Sequence, residues 1–150
     1  MNLENSSVRR EVSDPSKFRS RLMRSPILVV EDDSNARLVL CFALRSKGYF
    51  VEEAAEGVSA LSKAEQCHPA LILTDFQMPG MNGTELVKSI RTRQDLRDVP
   101  ILVMTAFDRS LCVDALAKGA NDTIQKPIQL PLLFRKIEAL IYNDTHQGAS

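Results

Sequence analysis

The sequence lacks three things, and each lack removes a class of function. It has no net charge: Lys and Arg number 19 against 19 Asp and Glu, so no global basic field exists to draw the chain onto nucleic acid or an anionic membrane. It has no long hydrophobic run. The longest, Pro26–Val30 and Leu38–Leu44, fall far short of the ~20 residues a bilayer-crossing helix needs, so membrane insertion is not expected. It has few cysteines. Cys41, Cys67 and Cys112 are odd in number and far apart, with no C-x-x-C pair for zinc or redox work and no disulfide framework. The first 25 residues contain no apolar stretch of a secretory signal, and Glu4, Glu11 and Asp14 argue against an organelle transit peptide. A reducing cytoplasm is the expected setting.

What is present fits one domain with tails. At 150 residues the chain is of ordinary single-domain size, and 44% hydrophobic with 25% charged residues is a globular composition. Residues 1–25 stand apart. Arg9, Arg10, Lys17, Arg19, Arg21 and Arg24 outweigh the three acids there, leaving +3 on this segment and −3 on the remainder. Interspersed Ser and Pro make it read as a flexible basic arm that buries too little to offset ordering entropy. Residues 26–141 read as the folded domain, and 142–150 as a short polar tail.

Within the domain the hydrophobic pattern alternates between two periods. Ile27–Val30, Leu71–Thr74 and Ile101–Thr105 are short, aliphatic runs suited to strands buried on both faces, and Tyr49–Glu53 and Asp122–Gln125 are weaker edge candidates. Between them Ser34–Lys47, Gly57–Gln66, Thr84–Arg91, Ser110–Lys118 and a last segment from Leu130 repeat apolar residues at helical spacing. Gly48 and Gly119 supply stop signals. Five strands alternating with five helices predict an α/β fold, a doubly wound parallel sheet covered on both faces.

In such a sheet, ligands bind beyond the carboxyl ends of the strands. Glu31, Asp32 and Asp33 follow the first strand, Asp75 ends the third, Thr105 ends the fourth, and Lys126 with Pro127 ends the fifth. Taken singly, each has a bland reading: an acid as a helix cap, a threonine satisfied by backbone, a solvated lysine. Asp75 resists it, because a carboxylate at the end of a buried strand loses hydration unless something pairs with it. Carboxylates converging at one rim repel, and a hard divalent cation relieves that repulsion. Mg2+ suits the set, since it combines one or two carboxylates with waters and phosphate oxygens. With a fixed lysine charge and a threonine hydroxyl, this is equipment for phosphoryl transfer onto an aspartate.

The residues that carry a family resemblance are now all in view. Ile27-Leu28-Val29-Val30 precedes Glu31-Asp32-Asp33; Thr74-Asp75-Phe76-Gln77-Met78-Pro79-Gly80-Met81-Asn82-Gly83 follows a D-x-x-M-P-x-M-x-G pattern. Ile101-Leu102-Val103-Met104-Thr105-Ala106, Gly119-Ala120-Asn121-Asp122 and Lys126-Pro127 complete the set. Together, over residues 26–141, the chain resembles the receiver domain of a two-component response regulator of the single-domain, chemotaxis-regulator-like kind. The resemblance implies a flavodoxin-like strand order 2-1-3-4-5. It implies that Asp75 is the phosphoacceptor, that Asp32 is a direct Mg2+ ligand, that Glu31 acts through metal-bound water, and that the Gln77 backbone carbonyl is a further ligand. Thr105 would turn its hydroxyl toward the phosphoryl group and Lys126 would be its ion-pair partner, with a cis bond at Lys126-Pro127. Asp33 is either an outer acid or the helix cap.

The implied function is phosphoacceptor signalling. The donor would be a sensor histidine kinase or phosphotransfer protein and the recipient a downstream target protein, with no nucleic-acid binding by the chain itself. Two alternatives stay open: a docking module that is never phosphorylated, and an aspartate-nucleophile phosphatase. The latter would want a second Asp two residues after a nucleophile on the first strand, whereas Gln77 follows a nucleophile on the third. Phe107, two residues after Thr105, is expected to shield the phosphoryl group from water. Thr123 stands where the family usually carries Tyr or Phe, so the usual inward-moving ring is missing, and the signal is expected mainly in the Ala106–Ser110 loop and the start of the following helix. Met78 and Met81 read as packing residues.

Overall fold

A computed structural model of the chain describes residues 25–106 and 108–149, with side chains through Tyr142. The basic arm and Phe107 therefore lie outside the described residues. Five strands and five helices alternate: β1 (Ile27–Val30), α1 (Ser34–Ser46), β2 (Val51–Ala54), α2 (Gly57–Cys67), β3 (Leu71–Asp75), α3 (Gly83–Thr92), β4 (Ile101–Thr105), α4 (Arg109–Lys118), β5 (Asp122–Gln125) and α5 (Leu130–Ala149). The sheet is wholly parallel in the order β2-β1-β3-β4-β5, as the resemblance implies.

The central strands are apolar on both faces because both faces are covered. Leu28, Val30, Ile72 and Val103 point into one layer with Ala60, Ala64, Leu86, Ile90 and Ala115 of α2, α3 and α4. Their neighbours Ile27, Val29, Leu73, Leu102 and Met104 point the other way, into a second layer with Leu40, Leu44, Leu133 and Ile137 of α1 and α5. That alternation is the period-two geometry of a strand. Burying a large aliphatic side chain contributes roughly 1.5–3 kcal/mol, so these two layers dominate the stabilisation.

Local signals set the helix ends. Asp33 caps α1, its carboxylate accepting from the Ala36 amide at 2.9 Å; Asn82 and Asp108 cap α3 and α4 in the same way. Gly48 (φ +94°) and Gly119 (φ +118°) take the left-handed conformation past α1 and α4. Most boundaries fall within one residue of expectation, and two differ by more. β2 begins at Val51 rather than Tyr49, because the Tyr49 amide is still donating to Leu44 O in the helix terminus. α5 runs on to Ala149, taking in most of the expected tail: no proline interrupts residues 142–149, and extending a formed helix is cheap compared with starting one.

Candidate phosphoacceptor site

The register brings four strand ends to one rim. Val30 pairs with Thr74, Asp75 with Met104, and Thr105 with Gln125, so the residues at or just past these positions meet beyond the same edge. The order reverses between β1 and β3, and there Glu31, Asp32 and Asp75 gather, each offering a carboxylate oxygen, all within 4.8 Å of one another. Glu31 is 2% exposed and Asp75 6%, while Asp32 is open to solvent.

One lysine faces the cluster. Lys126, directly after the edge strand β5, places Nζ 3.0 Å from Asp75 Oδ1 and 3.5 Å from Glu31 Oε2; the Lys126-Pro127 peptide is cis. Burial alone would push the ammonium pKa down; its hydrogen bond to Asp75, the Asp75 charge and then Glu31 outweigh that and hold it above the ordinary lysine value. Glu31 is raised too, which for a carboxylate disfavours the charged form. Burial first, and then the charge of Asp75, push its pKa up, against the Asp33 amide and Lys126, which pull it down. The site thus holds more negative charge than it neutralises, and a cation would remove the excess.

Three neighbouring residues support this geometry. Arg37 on α1 donates to the Glu31 carbonyl at 2.7 Å and to the Glu53 carboxylate at 3.3 Å, tying the loop after β1 to β2. Gly83, the first residue of α3, packs so closely under the end of β3 that a Cβ there would collide with the Asp75 carbonyl oxygen and come within 2.9 Å of Phe76 Cα. Cys112, on α4, lies 3.4 Å from the Thr105 hydroxyl. Sequence reasoning names Gly83 only as the last residue of the D-x-x-M-P-x-M-x-G stretch and misses Arg37 and Cys112 as members of the site. Those two carry no local signal beyond falling four residues after a helix cap, where a side chain leans back over the first turn.

The other expected residues are accounted for as follows. Asp33 is the α1 cap, and its amide also donates to Glu31 Oε1 at 3.2 Å. Thr105 is fully buried; its carbonyl accepts from the Lys126 amide at 2.7 Å, while its hydroxyl is joined to Cys112 rather than to the side chain of Asp75 or Lys126. Gln77 is exposed in the loop after β3, two residues past Asp75. Met78 is buried in the core and Met81 packs against it, resting over Gly57, as packing residues should.

Residues 27–138 match the family described as the response regulator receiver domain. The chain belongs to that family. Among its relatives, the phosphate regulon transcriptional regulatory protein PhoB of Escherichia coli is 34% identical over 120 residues, covering 79% of this chain and 52% of that protein. The response regulator MprA of Mycobacterium leprae is 40% identical over 116 residues, covering 77% of this chain and 50% of that one. The chemotaxis protein CheY4 of Vibrio cholerae superposes with a TM-score of 0.73 at 29% identity, covering 78% of this receiver and 98% of that chain. The receiver spans about half the length of the curated relatives it matches. Its general kind of function is phosphorelay signal transduction. No described helix is long and apolar enough to cross a membrane.

Proposed function

We propose that this receiver accepts a phosphoryl group on Asp75 and uses the modified state to switch protein contacts. The carrying observation is the pairing of Asp75 with Lys126 at 3.0 Å inside a three-carboxylate cluster at the switch point of the sheet. An Asp75 Oδ lone pair attacks phosphorus, the new O–P bond forms as the bond from phosphorus to the donor breaks, and that bonding pair leaves with the donor. For a phosphohistidine donor the leaving atom is an imidazole nitrogen, which takes its proton from solvent. Lys126 neutralises charge on the transferred group without having to move far, and the Thr105 hydroxyl donates to a phosphoryl oxygen.

The donor set fits Mg2+: all-oxygen ligands, two of them nearly buried, with excess negative charge. Asp32 and Asp75 would hold it directly, Glu31 through water, and the Gln77 carbonyl would complete the protein's share; when bound, the ion supplies charge neutralisation to the phosphoryl oxygens. Catalysis here is confined to the receiver's own phosphorylation and dephosphorylation.

A protein donor and a protein target, in the cytoplasm, fit this reading. The donor would be a sensor histidine kinase or a phosphotransfer protein. Val39 of α1 is exposed and lines an apolar cleft with Pro127, Ile128 and Leu130 that also takes in Glu31 and Lys126; Leu38 and Phe42 of the same helix are exposed as well. An apolar surface next to a reactive carboxylate suits a protein partner better than a small polar metabolite.

The test is exposure to acetyl phosphate and Mg2+, followed by peptide mass spectrometry. A phosphate mass confined to the Asp75 peptide, and absent in Asp75→Asn, is the expected result; no gain with any acyl phosphate would favour a docking module instead. Asp32→Asn should weaken Mg2+ binding about tenfold or more and slow phosphorylation with it, with folding unchanged. Unaltered Mg2+ affinity would remove Asp32 from the ligand set.

A further inference from the structure

Thr105 is fully buried at the end of β4, and the only hydrogen bond of its hydroxyl among the described residues is to Cys112 Sγ at 3.4 Å. Cys112 stands four residues after the α4 cap Asp108, where helix geometry leans a side chain back toward the preceding strand. Cys112 also borders a cleft of about 460 Å³ whose walls include Thr123, Gln125, Lys126 and Leu132. Thr123 is too small to fill that cleft or to press on Thr105.

We propose that Cys112 is a positioning residue for Thr105: its sulfur engages the hydroxyl in the unphosphorylated protein and releases it when Asp75 is phosphorylated. This rests on the reading of Asp75 as phosphoacceptor. The Thr105 hydroxyl has one hydrogen to donate. Sulfur is a weak partner in either direction, whereas a phosphoryl oxygen offers a charge-assisted bond roughly twice as strong as a neutral one. The exchange therefore runs toward the phosphoryl group, and a weak first partner keeps the hydroxyl placed without holding it back. Serine at 112 would grip harder, and alanine would not grip at all.

The thiol also carries a readout of the exchange. The hydrogen bond with Thr105 first, and then that with Thr123, hold the Cys112 pKa below the ordinary thiol value, with Gln125 adding to them; partial burial and the charge of Asp108 oppose. Lys126, Asp122 and Lys136 also line the cleft. Cys41, by contrast, is pushed up to about 11, by burial and then by Glu53. Losing the Thr105 bond should therefore raise the Cys112 pKa and cut its thiolate fraction.

The test labels the whole chain with a small maleimide over a range of pH, with and without Mg2+ and beryllofluoride as phosphoryl mimic, and reads each cysteine by peptide mass. Loading should slow Cys112 labelling about threefold at neutral pH and move its pH profile upward, leaving Cys41 and Cys67 as they were. Thr105→Val should show the slowed profile without loading and no further change on loading. Independently, Cys112→Ala should raise the affinity for beryllofluoride and Cys112→Ser should lower it, opposite effects that a mere packing role would not produce. If acetyl phosphate adds phosphate to Asp75 while Cys112 labelling keeps its rate and profile, or if the two Cys112 variants move affinity the same way, the positioning role is overturned alone. If Asp75 gains no phosphate, the phosphoacceptor reading falls and this inference falls with it.

Discussion

The two ends of the sheet handle charge in opposite ways. At the amino ends of β4 and β5, Arg91 is half-buried and spends its guanidinium on neutral acceptors: the carbonyls of Gly119 at 3.0 Å, Arg97 at 2.8 Å and Val99 at 2.7 Å, and Asn121 Oδ1 at 2.7 Å. Asn121 Oδ1 in turn accepts from the Ile101 amide at 2.8 Å. This one side chain joins α3, the loop before β4 and the α4–β5 turn. At the carboxyl ends, three carboxylates cluster and one lysine pairs with two of them, Asp75 and Glu31. The first arrangement is saturated and needs nothing added; the second has charge left over. The difference teaches where this receiver keeps its rigidity and where it keeps its reactivity. A fully hydrogen-bonded cluster has one good arrangement, whereas an overcharged cluster changes whenever a cation or a phosphoryl group arrives.

Breaking the amino-end staple should give the largest effect on folding. Arg91→Ala removes the guanidinium donor of three carbonyls and one of the two donors to the Asn121 amide oxygen, and should cost about 3 kcal/mol in urea-induced unfolding. The initial rate of Asp75 phosphorylation at low temperature should hardly change, because the site lies at the other end of the strands. If phosphorylation falls in proportion to stability, the two ends are coupled rather than separable.

A smaller cost in stability, but one that crosses into the site, should follow Gly83→Ala. The added methyl must displace the Asp75 carbonyl or the first turn of α3, which should cost about 2 kcal/mol as overpacking. Because the displaced backbone carries Asp75, the proposed phosphoacceptor, phosphorylation should slow about tenfold or more. Stopped-time labelling by acetyl phosphate, compared with the melting curve, separates the two effects. Wild-type labelling in a destabilised Gly83→Ala protein would mean that the nucleophile tolerates the shift.

The smallest effect is the pH dependence of the overcharged end in the presence of chelator. Glu31 has a folded-state pKa raised above its ordinary 4.5, so the folded protein binds more protons than the unfolded chain just above that value. Stability of the metal-free protein should therefore fall as pH rises from about 4.5 through the raised pKa of Glu31. Lys126, also raised, contributes in the alkaline range: its share is full below its ordinary 10.5 and is lost as pH passes its folded-state value. Denaturation midpoints across pH should show the acid-side slope in wild type and a flatter line in Glu31→Gln, and equal slopes would mean that burial of Glu31 carries no cost.

Much of this architecture is legible in the sequence, because the deciding interactions are local. β1 and β4 fall where aliphatic runs end in polar residues, and α1 and α4 stop where Gly48 and Gly119 can take positive φ. The ends of β2 and α5 are less legible. A two-residue error at Tyr49 reflects a backbone bond to Leu44 that could serve helix or strand, and residues 142–149 hold no apolar stripe to announce a helix that continues by propagation. The candidate site divides along the same line: periodicity alone delivers Glu31, Asp32, Asp75, Thr105 and Lys126 to one rim, while their roles come from the family resemblance.

By itself, then, the sequence determined the alternation of elements, the faces each would bury and the acidic and basic residues at the strand ends, since those follow from periods of two and 3.6 residues along a continuous chain. Tertiary structure alone decided the side-chain meetings across elements. That Arg91 reaches Asn121, that Arg37 holds the Glu31 carbonyl, that Gly83 must lie against Asp75, and that a cysteine on α4 takes the Thr105 hydroxyl depend on how helices seat on the sheet to within an ångström. Close packing sets that fit, and no local propensity encodes it.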